Sequence, residues 1–174
     1  FLEVSGSDPR TRLVNAFQEL IRFAYPFLRM LRTQYTEAMI KTILAEPDDL
    51  IGAGSGESLG EAEQEILGRL QRARLGGERL HIDDLLQQFR GGQYGWYDAA
   101  TLCLLARLFR RHKIEFRSGP EILDGEEIYE TLINSRSHGS VCVQLQEEFD
   151  AATVAALKSF HHDFFHQSNP GNDA

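Results

Sequence analysis

A chain of 174 residues with 42% hydrophobic and 25% charged side chains has the balance of a globular domain, and can bury a core without disulfide or metal staples. Its formal charge of −8 argues against wholesale nucleic-acid binding, which normally leaves a basic footprint. No run reaches the roughly 18 apolar residues of a membrane helix, and Cys103 and Cys142 sit in apolar runs as small hydrophobes, without metal-ligand spacing.

The charge is uneven. Residues 1–79 carry 10 Lys/Arg against 12 Asp/Glu, and residues 80–174 carry 8 against 14. A basic patch in the second half therefore stands out. The opening Phe1-Leu2-Glu3-Val4 is not a basic signal-peptide start, and the chain is expected to be a segment of a longer protein.

Asp8-Pro9 predicts a helix start, with Asp as N-cap and Pro in the first turn. Leu13, Val14, Phe17, Leu20, Ile21 and Ala24 follow helical spacing, and Pro26 interrupts it. Thr36 caps a short helix carrying Met39, Ile40, Ile43 and Leu44. The glycine-rich run from Gly52 to Gly60 is a surface loop. Ser58 with Glu61 predicts a capping box for a helix through Ile66, Leu67, Leu70 and Ala73, stopped by Gly76-Gly77.

A short helix is expected over Ile82 to Arg90, with Leu85, Leu86 and Phe89 inward. Asp98 opens a longer one to about His112, with a core stripe of Leu102, Leu105, Ala106 and Phe109. Ile114 to Phe116 alternates as a strand, Ser118-Gly119-Pro120 turns, and Asp124 with Glu127 caps a helix marked by Ile128, Leu132 and Ile133. Val141 to Leu145 is the strongest strand. Asp150 caps a last helix through Val154, Leu157, Phe160 and Phe164.

The expected class is mainly α with a small β-sheet (α+β): a helical bundle portion followed by a winged-helix-like portion. The first is placed at 1–77, the second at 78–166, and a disordered tail at 167–174. A helix between the two strands departs from a standard winged helix, whose helices precede the wing.

Candidate sites concentrate between Tyr94 and Arg117. Arg107, Arg110, Arg111, Lys113 and Arg117 fall within eleven residues, at a helix end where the macrodipole favours cations. The same cluster could contact phosphate or an acidic partner. Tyr94, Trp96 and Tyr97 either pack across the turn between helices or anchor an interface.

The Gly52–Gly60 loop is followed by Glu61 rather than Lys and Ser/Thr, so it is no Walker A loop. His162 and His166 have i,i+4 spacing without a third ligand, a weak metal candidate. Ser137-His138 lacks any nucleophile motif. No catalytic residue is assigned.

The segments Tyr94-Gly95-Trp96-Tyr97 and Leu104-Leu105-Ala106-Arg107-Leu108-Phe109 resemble the BrxC family of large P-loop proteins from BREX phage-defence systems. So do Leu28-Arg29-Met30-Leu31, Tyr35-Thr36-Glu37, Ala62-Glu63-Gln64-Glu65, Asn134 to Ser140, Val154 to Lys158 and Asp163-Phe164-Phe165. The resemblance runs from about Phe23 to Phe165, in short pieces that include no catalytic signature.

It implies a fragment of a very large cytoplasmic ATPase related to the AAA+ class. Such proteins act with other BREX components to block phage DNA replication and mark host DNA as self. ATP and Mg are expected for the parent protein, and no cofactor is expected in this fragment, which has neither Walker motif. The expected partners are other domains of the parent ATPase and other BREX proteins, with DNA less favoured and no membrane.

Three functions compete on this reading. The first is an interaction module using Tyr94, Trp96, Tyr97 and the Arg107–Arg117 edge. The second is a winged-helix DNA binder using the same cations. The third is a stand-alone enzyme resting only on the Ser/His and His/His pairs.

Overall fold

The computed structural model describes residues 8–45 and 59–146. The expected last helix from Asp150, the 167–174 tail, His162, His166 and most of the Gly52–Gly60 loop lie outside the described residues.

The first helix, α1 (Pro9–Ala24), begins as its sequence dictates. The Asp8 carboxylate accepts from the N–H groups of Arg10 and Thr11 at 3.0 Å each, and Pro9 needs no donor there. Pro26 ends the helical path, and a single 3-10 turn follows over Leu28–Met30. The apolar spacing of α1 predicts an inward face, yet α1 has no buried residue. Periodicity reports amphipathicity and is silent about what covers the face.

Next comes α2 (Glu37–Ala45), which buries Ile40 and Ile43. The third helix, α3 (Glu61–Gly76), starts two residues later than Ser58 predicts. Gly60 is its N-cap, and the Glu63 carboxylate reaches back to the Gly60 N–H at 2.7 Å. Ser58 itself lies outside the described residues. Gly77, at φ +70°, closes α3: its N–H donates to Arg74 O, and the Glu78 N–H donates to Ala73 O.

A two-residue strand, β1 (Leu80–His81), precedes α4 (Ile82–Arg90). After the Gly91–Tyr97 turn comes α5 (Asp98–Arg110), then β2 (Ile114–Ser118), β3 (Glu121–Ile122), α6 (Gly125–Ile133) and β4 (Val141–Leu145). The sheet is antiparallel throughout, in the order β1-β4-β2-β3. β2 and β4 pair along their whole lengths, from Ile114 opposite Leu145 to Ser118 opposite Val141. Side-chain alternation then sets Ile114 and Phe116 with Val141, Val143 and Leu145 on one face.

Two helix faces differ from the predicted stripes. On α6, Ile128 and Leu132 are buried but Ile133 is exposed, because it follows Leu132 by one residue, 100° around the helix. On α5, Phe109 is only half-buried while Leu104 and Leu108 are fully inside. Burial takes in every position from Ala100 to Ala106, so α5 is a central helix rather than an amphipathic one. One core cluster holds Ile40, Ile66 and Leu70 together with Leu85, Leu105 and Phe116, so residues on both sides of residue 77 contribute to it.

Candidate interaction surface

The aromatic turn before α5 belongs to the interior. Trp96 is 1% exposed, which removes it as a surface anchor and corrects that expectation. Its ring stacks on Phe89 at 4.6 Å, 10° from parallel, and its Nε1–H donates to Phe27 O at 3.1 Å. Tyr94 meets Phe89 and Trp96 edge-on and leans on Phe27. The packing follows from chemistry: rings with quadrupoles meet edge to face, and the indole N–H finds a carbonyl.

The Tyr94 hydroxyl donates to Glu65 at 2.7 Å. Burial, reinforced by that carboxylate, pushes it up to about 12. Gly95 at φ +62° lets the turn pass under the Tyr25 ring, since a Cβ there would lie 2.5 Å from Tyr25 Cδ1. The cluster therefore fixes the base of α1 against the end of α4. Only Tyr97 is exposed, and its hydroxyl accepts from the Tyr35 N–H at 2.6 Å.

The basic cluster is partly consumed within the fold. Arg107 Nε lies 3.1 Å from Glu63 Oε1, and Arg111 reaches Glu63 Oε2 at 3.4 Å. The Arg107 contact is an ion pair off the hydrogen-bond direction. Glu63 is 1% exposed, so its charge must be met inside. Arg117 pairs with Glu115 at 2.6 Å on the sheet face. Glu63 is the residue that the sequence reading missed. Its signal was available: a Glu three residues after Gly60, the first turn's back-reaching position.

Half-buried Arg107, Arg110 and Arg111 also line a hollow of about 320 Å³ with Thr33, Tyr35, Met39 and Ile43, at the seam of α2 and α5. Lys113 follows at the helix end, half-buried.

Ser137 and His138 do not form a pair. Ser137 Oγ donates to Asn134 O at 2.7 Å, and the His138 ring nitrogen meets Leu132 O at 3.1 Å in a buried position. Both groups hold the turn from α6 to β4. Among the described residues no group of three or more His, Cys, Asp or Glu could hold a metal. None of their helices is long and apolar enough to cross a membrane. In the sequence the glycine-rich loop is followed by Glu61, where a Walker A loop has Lys and Ser/Thr.

Helix α3, strand β1, helices α4 and α5, then β2 and β4 flanking one another in an antiparallel sheet define a winged helix-turn-helix domain. Its wing is replaced by β3 and α6. A family model described as "BREX ATP-binding protein BrxC winged helix-turn-helix domain" matches residues 29–147, more than half of the chain, and the chain belongs to that family. No curated protein and no solved structure matches.

Proposed function

We propose that this chain is a non-catalytic interaction and regulatory module of a large, cytoplasmic AAA+-like P-loop ATPase acting in BREX antiphage defence. ATP and Mg belong to the parent's nucleotide site. The partners are other domains of that ATPase and other BREX proteins. The contact edge is the end of α5, where Arg107, Arg110 and Arg111 border the hollow that Tyr35 also lines, with Lys113 just beyond the helix and Tyr97 exposed.

One observation carries the choice of protein over DNA. A helix-turn-helix protein reads DNA by laying its second helix in the major groove. Here that helix is α5, and none of its residues is exposed. α2 packs along it, and the Cys103 thiol meets Thr36 O at 3.4 Å. With Ala100–Ala106 enclosed in this way, the cations α5 leaves toward solvent stand at its C-terminal end, whereas base edges are met by the N-terminal residues of a reading helix. The net charge of −8 works in the same direction.

The winged helix-turn-helix class favours the second reading, a duplex-binding domain that uses the same cations. Two assays separate them. Full-length protein carrying Arg110→Glu and Lys113→Glu is compared with wild type for recovery of purified BREX components, and both are titrated with duplex DNA at low and moderate salt. The expected result is loss of a protein partner in the variant, with no duplex shift for the isolated domain. A duplex shift that weakens steeply with salt and vanishes in the variant would replace this reading with the second. Equal recovery of partners would remove the α5 edge from it.

A further inference from the structure

α1 precedes the residues matched by the winged-helix family and buries none of its own. Leu13, Val14, Phe17, Leu20, Ile21 and Ala24 form a stripe about 120° wide at 100° per residue, the width of a face that normally meets a core. The large members are between 46% and 59% exposed. The stripe runs on into an apolar hollow of about 510 Å³ lined by Ile21, Arg22, Tyr25, Pro26, Leu28 and Arg29. An apolar patch of this extent on a folded domain marks an interaction surface.

The helix is held at its base. Tyr25 lies over Gly95, the Phe27 N–H donates to Gln93 O at 3.1 Å, and the Trp96 indole bonds Phe27 O. The aromatic turn thus serves recognition indirectly, by fixing the exit of a helix that carries the apolar face.

Charge selects the occupant. Between residues 9 and 29 there are four arginines, Arg10, Arg12, Arg22 and Arg29, and one acid, Glu19. Glu19 is tied to Arg22 at 2.6 Å. Arg10 and Arg12 stand in the first turn, where the macrodipole disfavours cations and where the carboxylate of the N-cap Asp8 offsets part of their charge. The stripe is thus flanked by positive charge at both ends, on a chain that is acidic overall. An antiparallel pair of α1 helices would set Arg10 and Arg12 against Arg22 and Arg29. A parallel pair would set each arginine against its copy. A membrane helix would need a densely basic polar face, whereas that of α1 includes Asn15, Gln18 and Glu19.

We propose that α1 is the docking helix for an acidic amphipathic helix of a second protein. The partner supplies apolar residues at i, i+3, i+4 and i+7, with carboxylates toward both ends. This surface is separate from the end of α5, so either can fail without the other.

The test places a photo-crosslinking residue at Phe17 of the full-length protein in cells carrying the defence system, and maps the adduct by mass spectrometry. In parallel, the purified protein is titrated with two designed amphipathic helical peptides of equal apolar content, one flanked by Glu and one by Lys. The adduct is expected on an acid-flanked amphipathic helix of another protein, and the Glu peptide should bind at least about tenfold more tightly than the Lys peptide. Phe17→Asp and Leu20→Asp should abolish binding while leaving the unfolding midpoint in place, since α1 buries nothing. An adduct on a second copy or on the same polypeptide would overturn the proposal. So would equal binding of the two peptides, or co-sedimentation with anionic vesicles that depends on Phe17.

Discussion

Glu63→Ala separates a structural basic cluster from one kept for binding. The Glu63 carboxylate is 2% exposed, accepts from the Gly60 N–H, and faces Arg107 and Arg111. Breaking a buried ion pair by removing one partner costs about 3–5 kcal/mol. The guanidinium side chains here are 37% and 28% exposed and can turn to water, so roughly half of that applies, about 2 kcal/mol. The lost helix cap adds about 1 kcal/mol. The sum, about 3 kcal/mol, lowers the unfolding midpoint by about 10 °C for a domain of this size. Thermal unfolding followed by circular dichroism measures it. Arg107→Ala, which leaves Glu63 Oε1 without its cation while Oε2 keeps Arg111 and the Gly60 N–H, should cost about 1–2 kcal/mol. A double-mutant cycle between the two should show about 1–2 kcal/mol of coupling. A Glu63→Ala midpoint within about 2 °C of wild type would refute the view that these arginines are held for the fold.

The thiol of Cys103 is pushed up to about 11 by burial, with Glu37 adding to the shift and Arg107 opposing it, so it should resist a thiol reagent at pH 8 until the chain unfolds. Tyr94, raised to about 12, should ionise well above the ordinary tyrosine value of 10 in an ultraviolet titration. Because its folded value lies above the ordinary 10, its contribution to stability is complete below pH 10 and is lost as pH rises toward 12. Two glycines with positive φ should differ. Gly77→Ala, with open space around it, costs about 1–2 kcal/mol for the left-handed backbone alone. Gly95→Ala adds a collision with the Tyr25 ring and should cost measurably more in urea unfolding.

Much of the scaffold was legible because local chemistry and packing agree there. Asp8, Asp124 with Glu127, and Gly77 act as the sequence predicts, and α4 spans Ile82–Arg90 with Leu85, Leu86 and Phe89 inward. β1 and β3 escaped because two residues cannot display alternation. β1 in particular supplies the strand beside β4 that makes the winged-helix order complete. The site was less legible. Tyr, Trp and Arg carry the same signal whether they face a partner or a neighbouring helix. Only the fold distinguishes Trp96, enclosed by Phe89 and Phe27, from Tyr97 at the surface. The capping position of Glu63 was readable locally, but its ion pairs were not, because Arg107 and Arg111 lie more than forty residues further along the chain.

Both devices by which a winged helix grips DNA are occupied in this domain. The wing between β2 and β4 has become β3 and α6, and α2 lies on α5 while also touching α6. Two arrangements could give this picture: a removable lid over a reading helix, or a permanent third layer. Ile40 distinguishes them. It is fully buried in α2, and Ile40→Ala should cost about 2–4 kcal/mol, loosening α2 from its seat. A lid would then open, and duplex binding would rise in step with the lost stability. A permanent layer would lose stability with no gain in DNA binding, because the residues around Cys103 and Leu104 that come into view are apolar. The second outcome is expected, measured as unfolding in urea alongside a duplex titration. A duplex affinity that climbs with the Ile40→Ala destabilisation would return α5 to the role of a reading helix.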